Sequence, residues 1–399
     1  MRSEFLTFSP PDVGEDEIAE VVATLRSGWL TTGARTARLE REFADFVNAP
    51  AALALNSGTA ALHVGLKVLG VGPGDVVIST PMTFCSSINV IEHVGARPIL
   101  VDVEPDTLNI DPNCVEAAIE RVERERPGSC KAVLPVHLYG HPCDMNPILE
   151  SAEQHGVAVL EDAAHAVPAR YRGQMIGSGG SDARTVRRLT AFSFYATKNL
   201  TTGEGGMLTG PSSLLEEARV WSLHGMSRDA YRRYRAEGSW RYDVVLPGFK
   251  YNMADVLASI GLVQLRRLPE LQRRRRQITQ AYHQAFSGLE EISLPTERPD
   301  CESACHLFVI RLNLEALRID RSRFIDELRA LNIGTSVHFI PIHLLSYYRD
   351  KYRFSPEDFP VATAAFQRIV SLPLSPHLTD QDVSDVIEAV ETTIRRNRR

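Results

Sequence analysis

The chain has 399 residues, of which 44% are hydrophobic, and it carries a formal net charge of -6 at pH 7. This length is sufficient for a core of two or three layers and for two structural lobes. The mildly acidic charge argues against nucleic acid or an anionic membrane surface as the main partner. No stretch of the sequence approaches the roughly 20 apolar residues of a membrane span, and the N-terminus lacks the apolar region of a signal peptide.

The six cysteines are scattered along the chain. Cys301 and Cys305 form an isolated pair, without the second pair that a metal site with this spacing requires. We therefore expect reduced thiols, no bound metal and a cytoplasmic location.

Between residues 51 and 210, apolar runs alternate with helical patterns. The runs are continuous and not alternating, which is typical of strands buried on both faces, so we predict an α/β layer with a mainly parallel sheet. The predicted strands cover 51–56, 75–80, 97–103, 131–140 and 157–166, and the helices between them cover 58–69, 84–94, 112–126 and 145–155.

The alternation of apolar runs and helical patterns ends near residue 211. A helix at 211–224 precedes a polar, aromatic-rich stretch at 225–253, which is too long for a plain connection. A smaller α+β lobe follows, so we predict a large domain at 1–250 and a second at 251–399. Its predicted elements are helices at 255–287, 321–331 and 379–396 and strands at 306–312 and near 334–338. The basic run at 272–276 is expected to be a solvated helix face.

Polar residues follow the predicted strands where ligands bind in parallel sheets, at the carboxyl ends. In "NSGTAAL", Ser57, Gly58 and Thr59 open a helix. The N–H groups of a first helical turn and its positive dipole end make a phosphate cradle. Ordinary capping of the helix explains the same residues equally well.

The stretch "LEDAAHA" places Glu161, Asp162 and His165 after an apolar run. A carboxylate at the end of a buried strand needs a cationic partner. A metal held by a ligand pair and a protonated heterocyclic nitrogen both remain open at this point. Lys198 follows another strand-like run, and a lysine at the rim of a buried sheet can react with a carbonyl group.

Together these parts are what a pyridoxal 5′-phosphate (PLP) site requires. Lys198 would attach the cofactor, Asp162 would hold its pyridine nitrogen protonated, and the helix start at Ser57 would bind its phosphate. Phe84, in "PMTFCSS", is placed to stack on the ring, although a plain core phenylalanine is the alternative.

Six stretches in order carry a resemblance to the DegT/DnrJ/EryC1/StrS sugar aminotransferases. They are "NSGTAALH", "MTFCSSINVIEHVGARPILVDVEPDTLNID", "PVHLYG", "LEDAAHA", "FSFYATKNLTTGEGGM" and "GFKYNMADVLASIGLVQL". The resemblance implies PLP-dependent fold type I, the aspartate aminotransferase-like α/β fold, and runs from about residue 5 to the C-terminus. "NIGTSVHFIPIH" is most similar to the branch that aminates C4 of nucleotide-linked 4-keto sugars.

The family's roles carry over residue by residue. Lys198 matches the cofactor lysine and proton carrier, Asp162 the partner of the pyridine nitrogen, and His165 the residue beside the ring and its O3′ atom. The resemblance assigns the phosphate to Ser57, Gly58, Thr59 and Ser193, ring stacking to Phe84, and a phosphate contact from the partner subunit to Asn252. It implies a homodimer with shared sites, and it assigns substrate contacts to His338, to His343 with less support, and to the 226–246 stretch with Arg228, Tyr231, Trp240 and Tyr242.

The resemblance implies transfer of an amino group from L-glutamate to the C4 ketone of a nucleotide-linked 4-keto-6-deoxy sugar, with a dTDP-4-keto-6-deoxyhexose favoured. The alternatives are a UDP-4-keto-pentose 4-aminotransferase, a C3 sugar aminotransferase of the same fold, and a non-catalytic PLP-binding regulator or scaffold. A PLP-dependent sugar dehydratase has histidine in place of the lysine, so Lys198 argues against it. The stretch 179–189 is longer and more basic than the family pattern and is expected to alter the mouth of the site.

Overall fold

The computed structural model describes residues 2–179, 185–226 and 242–399. Arg228, Tyr231 and Trp240 therefore lie outside the described residues, as does part of the basic 179–189 stretch. No helix in the described ranges is long and apolar enough to cross a membrane.

The helices and strands of these ranges are numbered here in chain order. The helices are α1 (Glu15–Arg26), α2 (Ala34–Val47), α3 (Gly58–Val68), α4 (Ser86–His93), α5 (Pro112–Glu125), α6 (Met145–Gln154), α7 (Ser212–Ser222), α8 (Asp255–Phe286), α9 (Arg321–Ala330), α10 (Ser346–Tyr352), α11 (Pro360–Phe366) and α12 (Asp380–Asn397). The strands are β1 (Ala51–Leu55), β2 (Val76–Ser79), β3 (Arg97–Leu100), β4 (Cys130–Val133), β5 (Ala158–Asp162), β6 (Arg170–Tyr171), β7 (Gln174–Met175), β8 (Arg188–Ser193), β9 (Gly206–Gly210), β10 (Ile292–Ser293), β11 (Cys301–Glu302), β12 (Phe308–Leu312) and β13 (Ile369–Leu372).

The largest sheet has seven strands in the order β1-β9-β8-β5-β4-β2-β3. β9 is antiparallel to both of its neighbours, whereas β8, β5, β4, β2 and β3 pair in parallel. Residues of β2, β5 and β9 are buried throughout, as expected for strands covered by helices on both faces. The prediction of an α/β layer with a mainly parallel sheet is confirmed.

Local signals set the starts of several helices. The side chain of Ser57 accepts a hydrogen bond from the Ala60 N–H and caps α3. Asp111 caps α5, which has a proline at its first position, and Thr379 with Asp382 forms a capping box at α12. The α1 and α2 helices were not predicted from the sequence.

A second sheet, in the order β10-β12-β13, is antiparallel and packs with α9, α12 and the C-terminal half of α8 around a separate core. The predicted strand near 334–338 is wrong. Ile333 and Ser336 make only isolated bridges, to Leu6 and Ser371, and the third strand of this sheet is β13. The chain there passes close to another segment, since a Cβ on Gly334 would lie 2.6 Å from the Leu6 carbonyl oxygen.

The expectation that residues 272–276 form a solvated face is also wrong for Arg275. Its guanidinium is buried, and its Nη1 atom donates to the carbonyl oxygens of His306 and Leu374. Arg275 therefore ties α8 to two loops of the smaller sheet's layer.

Candidate active site

The register of the large sheet brings the predicted site residues together at the carboxyl ends of neighbouring strands. Leu55 and Ser193 both pair with Gly206, the first residue of the antiparallel strand β9. Asp162, the last residue of β5, pairs with Ala191 on β8. The turns that follow β1, β5 and β8 therefore meet at the carboxyl ends of these strands, as predicted.

Two glycines allow the first turn of α3 to lie against these strand ends. A Cβ on Gly58 would lie 2.8 Å from the Ser193 Cβ atom, and a Cβ on Gly206 would lie 2.4 Å from the Ser57 carbonyl oxygen. The free N–H groups at the start of α3 and the Ser193 hydroxyl are thus brought together at the rim. Thr59 is exposed beside them. This arrangement suits a phosphate group, and the Ser57 hydroxyl also caps the helix.

Lys198 and Asp162 face each other at the same rim. Burial lowers the pKa of Lys198 to about 8, and the Asp162 charge offsets only part of that effect. Neither side chain forms an ion pair with any residue in the described ranges. A reactive amine can bond to an aldehyde, and a buried carboxylate can pair with a pyridinium ring. The aldehyde and the pyridinium ring are the functional groups of PLP.

The alternative of a metal site in "LEDAAHA" needs Glu161 as a ligand, and this carboxylate is already engaged by other side chains. Glu161 is fully buried, and its carboxylate accepts hydrogen bonds from His137, Arg188 and Thr190. No group of three His, Cys, Asp or Glu side chains in the part of the chain that the structure describes is arranged to hold a metal ion. Glu161 therefore links β5 to β8 beside Asp162.

His165 has its tautomer fixed by the backbone. The Tyr139 N–H donates to the Nδ1 atom of His165 at 3.2 Å, so Nδ1 carries no proton. Burial, and then the charges of Lys198 and His338, lower the pKa of His165 well below its ordinary value. The neutral ring must then carry its proton on Nε2, which makes that atom a hydrogen-bond donor toward the site.

Phe84 presents an open ring face. Its side chain is 58% exposed, and its ring centroid lies 6.0 Å from that of Phe339. Phe339 in turn stacks on His165 with an interplanar angle of 19°. Phe84 is therefore not a core residue, and its face is available to a planar ligand.

The smaller lobe contributes His338. Its Nδ1 atom lies 2.8 Å from the Ser371 hydroxyl, and its ring stacks on Phe8 from the N-terminal segment. Burial and then the Lys198 charge lower the pKa of His338 to about 4, so the imidazole is neutral. The Tyr139 hydroxyl donates to the His338 carbonyl oxygen, which connects this segment to the large sheet.

His343 is not placed with these residues. It is fully buried, its Nε2 atom lies 2.9 Å from the Thr363 hydroxyl, and its ring packs against Phe359. Its suggested contact with the sugar is therefore not supported, because a core position holds the side chain.

Asn252 lies beside the end of β1 of its own chain, where it forms an isolated bridge with Leu55. Its amide nitrogen donates to the Thr32 hydroxyl at 2.6 Å, and its oxygen accepts from Lys250. Its bridge partner Leu55 is two residues before Ser57, where the proposed phosphate site begins. The contact of Asn252 with the partner's phosphate remains a prediction.

Sequence reasoning missed two residues that touch the predicted ones. Ser87 donates to the Asp162 carboxylate at 2.7 Å, and Tyr139 orients both His165 and the His338 segment. The only sequence signal for Ser87 is its spacing of three from Phe84 at a helix start. Tyr139 lies in a predicted strand that in fact ends at Val133, and it takes a left-handed conformation with φ of 60°.

The sequence profile of the DegT/DnrJ/EryC1/StrS aminotransferase family matches residues 11–391. The chain is 48% identical over 396 residues to the spore coat polysaccharide biosynthesis protein SpsC of Bacillus subtilis (strain 168), covering 99% of this chain and 98% of that protein.

Solved structures show the same relationship. The PLP form of Spr1654 from Streptococcus pneumoniae, assigned as a sugar aminotransferase, superposes with a TM-score of 0.88 at 37% identity, covering 98% of this chain and 99% of that one. DesV from S. venezuelae, solved with a ketimine intermediate, gives a TM-score of 0.84 at 34% identity, covering 95% and 94%. The predicted fold type I architecture is confirmed, and the chain belongs to the DegT/DnrJ/EryC1/StrS aminotransferase family.

Proposed function

We propose that this protein moves an amino group from L-glutamate to the C4 ketone of a nucleotide-linked 4-keto-6-deoxy sugar, with a dTDP-4-keto-6-deoxyhexose as the favoured substrate. In coarser terms, it is a PLP-dependent sugar aminotransferase, as its family membership indicates. The nucleotide, the sugar and the amino donor belong to the proposal.

The observation that carries the proposal is the pair formed by Lys198 and Asp162. A lysine with a pKa of about 8 is partly uncharged near neutral pH, so it can bond to a carbonyl carbon and later carry a proton at the substrate carbon. In this proposal Asp162 keeps the proton on the ring nitrogen of the cofactor. PLP supplies the aldehyde that holds the amino group and the ring that accepts electrons.

The other side chains bind and orient. The first turn of α3 and Ser193 are positioned to hold the phosphate, and Phe84 offers its face to the ring. His165 donates a hydrogen bond from Nε2, which suits the O3′ oxygen of the cofactor.

The aromatic side chains beside His165 give the proposed site an apolar wall. Phe339 lies between Phe84 and His165, and Phe84 is exposed. An apolar wall of this kind supports a 6-deoxy sugar, whose methyl group it can cover. We propose His338 as a sugar contact. Arg228 and Tyr231, outside the described residues, stay proposals for the diphosphate and the base.

The substrate is tested in the reverse direction, which avoids unstable keto sugars. Enzyme and PLP are incubated with 2-oxoglutarate and a panel of 4-amino and 3-amino sugars linked to dTDP, UDP or GDP, and glutamate formation is measured. A preference for a dTDP-linked 4-amino-6-deoxyhexose is expected. A preference for a UDP-linked pentose or for a 3-amino sugar would replace the proposed substrate. If none of the compounds gives glutamate above background, nucleotide-linked sugars are excluded as the substrate class.

The role of Lys198 is tested with Lys198→Ala and with Lys131→Ala, an exposed control on β4. We expect Lys198→Ala to abolish glutamate formation and to lose covalent capture of PLP by borohydride. Lys131→Ala should retain both. Full activity in Lys198→Ala would exclude this mechanism, whereas a wild-type protein that forms no glutamate with any sugar would favour a non-catalytic role.

We also propose a homodimer. One face of α1 exposes Ile18, Val22 and Leu25, and Trp29 and Leu30 extend this surface. An exposed apolar helix face of this length is typical of an interface. A charged substitution such as Leu25→Glu should lower the molar mass in light scattering from that of two chains to that of one.

A mixture of variants tests whether Asn252 serves the partner's site. Lys198→Ala and Asn252→Ala are each expected to lack activity. If Asn252 acts across the interface, mixed and re-associated chains regain activity in roughly a quarter of the sites, because each heterodimer holds one intact site. If Asn252 acts within its own chain, the mixture stays inactive.

A further inference from the structure

The Asp162 carboxylate receives two hydrogen bonds from different parts of the chain. Its Oδ1 atom accepts from the Ala164 N–H at 3.0 Å, which is a local turn contact. Its Oδ2 atom accepts from the Ser87 hydroxyl at 2.7 Å. Ser87 is fully buried in α4, so this second contact holds the carboxylate from a separate element.

The direction of the hydroxyl protons follows from counting donors. The Ser87 oxygen lies 2.7 Å from Asp162, 2.8 Å from the Thr83 hydroxyl and 3.3 Å from the Phe84 carbonyl oxygen. Ser87 has one proton, and Asp162 is its closest and only ionised acceptor. Thr83 must then donate to Ser87, so the hydrogen bonds run from Thr83 through Ser87 to Asp162.

The same helix start carries the stacking ring. Phe84 lies one turn before Ser87, and the Ser87 N–H also approaches the Phe84 carbonyl oxygen at 3.3 Å. The segment from Thr83 to Ser87 therefore presents an aromatic face and a hydroxyl to neighbouring parts of the rim. Both would contact or support the same planar ring.

We propose that Ser87, supported by Thr83, is a positioning residue that fixes the rotation of the Asp162 carboxylate toward the cofactor's ring nitrogen. A hydrogen bond donated to a carboxylate favours its charged form, and a charged carboxylate leaves the proton on the ring. This inference rests on the proposed role of Asp162 in binding PLP.

The test compares Ser87→Ala and Thr83→Val with Ser86→Ala. Ser86 is the neighbouring, half-buried residue at the start of α4, and its hydroxyl makes no hydrogen bond within the described ranges. The dissociation constant of PLP is measured by titrating apoprotein, and the visible absorbance of bound PLP is followed against pH. Urea unfolding of each apoprotein reports on folding.

Loss of one hydrogen bond to an ionised group predicts PLP binding about tenfold weaker in Ser87→Ala. The pH at which the bound cofactor's absorbance changes should also move, because ring protonation changes. Thr83→Val, which keeps the side-chain shape, should move both quantities in the same direction but less. Ser86→Ala should match the wild type. A purely structural role would change apoprotein stability without moving the pH profile.

Wild-type affinity and an unchanged pH profile in Ser87→Ala would overturn the inference, as would equal losses in Ser86→Ala. If Ser87→Ala does not fold, Thr83→Val decides by the same criteria. Asp162→Asn separates the inference from the proposed function. If Asp162→Asn loses PLP affinity and Ser87→Ala does not, only the positioning role fails. If Asp162→Asn binds PLP normally, the assignment of Asp162 itself fails.

Discussion

Replacing Glu161 by glutamine removes one charge from the interior without changing the side chain's shape. The Arg188 guanidinium donates to its two oxygens at 2.5 and 3.1 Å, His137 Nε2 at 3.0 Å, and Thr190 Oγ1 at 2.9 Å. The Cys143 N–H donates to His137 Nδ1, so His137 carries its proton on Nε2 and acts as a donor. All four contacts to Glu161 are therefore donors.

Glutamine cannot satisfy four donors, because its amide nitrogen is itself a donor and must face two of them. Breaking a buried ion pair by removing one partner costs about 3–5 kcal/mol. Urea unfolding of the apoprotein should show a loss of this size in Glu161→Gln. The control is Glu120→Gln, whose exposed pair with Arg124 spans 3.9 Å and should contribute less than about 1 kcal/mol.

The loss should also depend on pH. Burial acts to raise the pKa of Glu161, but the Arg188 charge and the His137 hydrogen bond outweigh it and hold the pKa far below 4.5. The folded protein thus keeps this carboxyl ionised at a lower pH than the unfolded chain does. The stabilisation is complete above about pH 5 and declines as the pH falls below that.

The difference between wild type and Glu161→Gln should therefore be constant from about pH 6 to 8 and narrower near pH 4. A loss below about 1 kcal/mol at neutral pH would refute the argument that this ion pair stabilises the folded protein at the junction of β5 and β8. A difference that stays the same at pH 4 would refute the assignment of the effect to the ionised carboxylate.

The other predictions concern the cofactor site and the loop beside it. Attachment of PLP to apoprotein needs uncharged Lys198, whose pKa is about 8, so its rate in stopped-flow absorbance should rise from about pH 6.5 and level off above about pH 9; a flat profile would contradict this. Gly58→Ala places a Cβ 2.8 Å from the Cβ of the last residue of β8 and should weaken PLP binding about tenfold. The control is Gly72→Ala, because an added Cβ at Gly72 would meet no atom of the described residues within 4 Å. This variant should bind PLP as the wild type does. Tyr139→Phe removes the hydroxyl donated to the His338 carbonyl oxygen and should cost about 1 kcal/mol in urea unfolding; an unchanged midpoint would mean that water replaces the contact.

The elements near the site were predictable because their signals are local. The run before Asn56 is continuous and apolar, and Ser57, a typical capping residue, marks the start of α3. The strand near 334–338 was predicted wrongly for the opposite reason. Its β-type residues pair with Leu6 and Ser371, which are distant in sequence, and only at single bridges.

Individual site residues differ in the same way. Lys198 and Asp162 could be proposed from strand ends and from a family resemblance, whereas His343 shared the motif of His338 and is a core residue. Two histidines five positions apart look alike in a sequence. Only packing shows that one meets Ser371 beside the site and the other meets Thr363 in the interior.

The sequence by itself determined the α/β class and the family and proposed the cofactor residues, because these depend on apolar runs, caps and motifs that are short in sequence. The tertiary structure decided which protons and which partners those residues have. The tautomer of His165 is set by the Tyr139 N–H, and the Asp162 carboxylate is held by Ser87, 75 positions away. Contacts of this kind depend on how strands and helices are brought together in the sheet, and no local pattern encodes them.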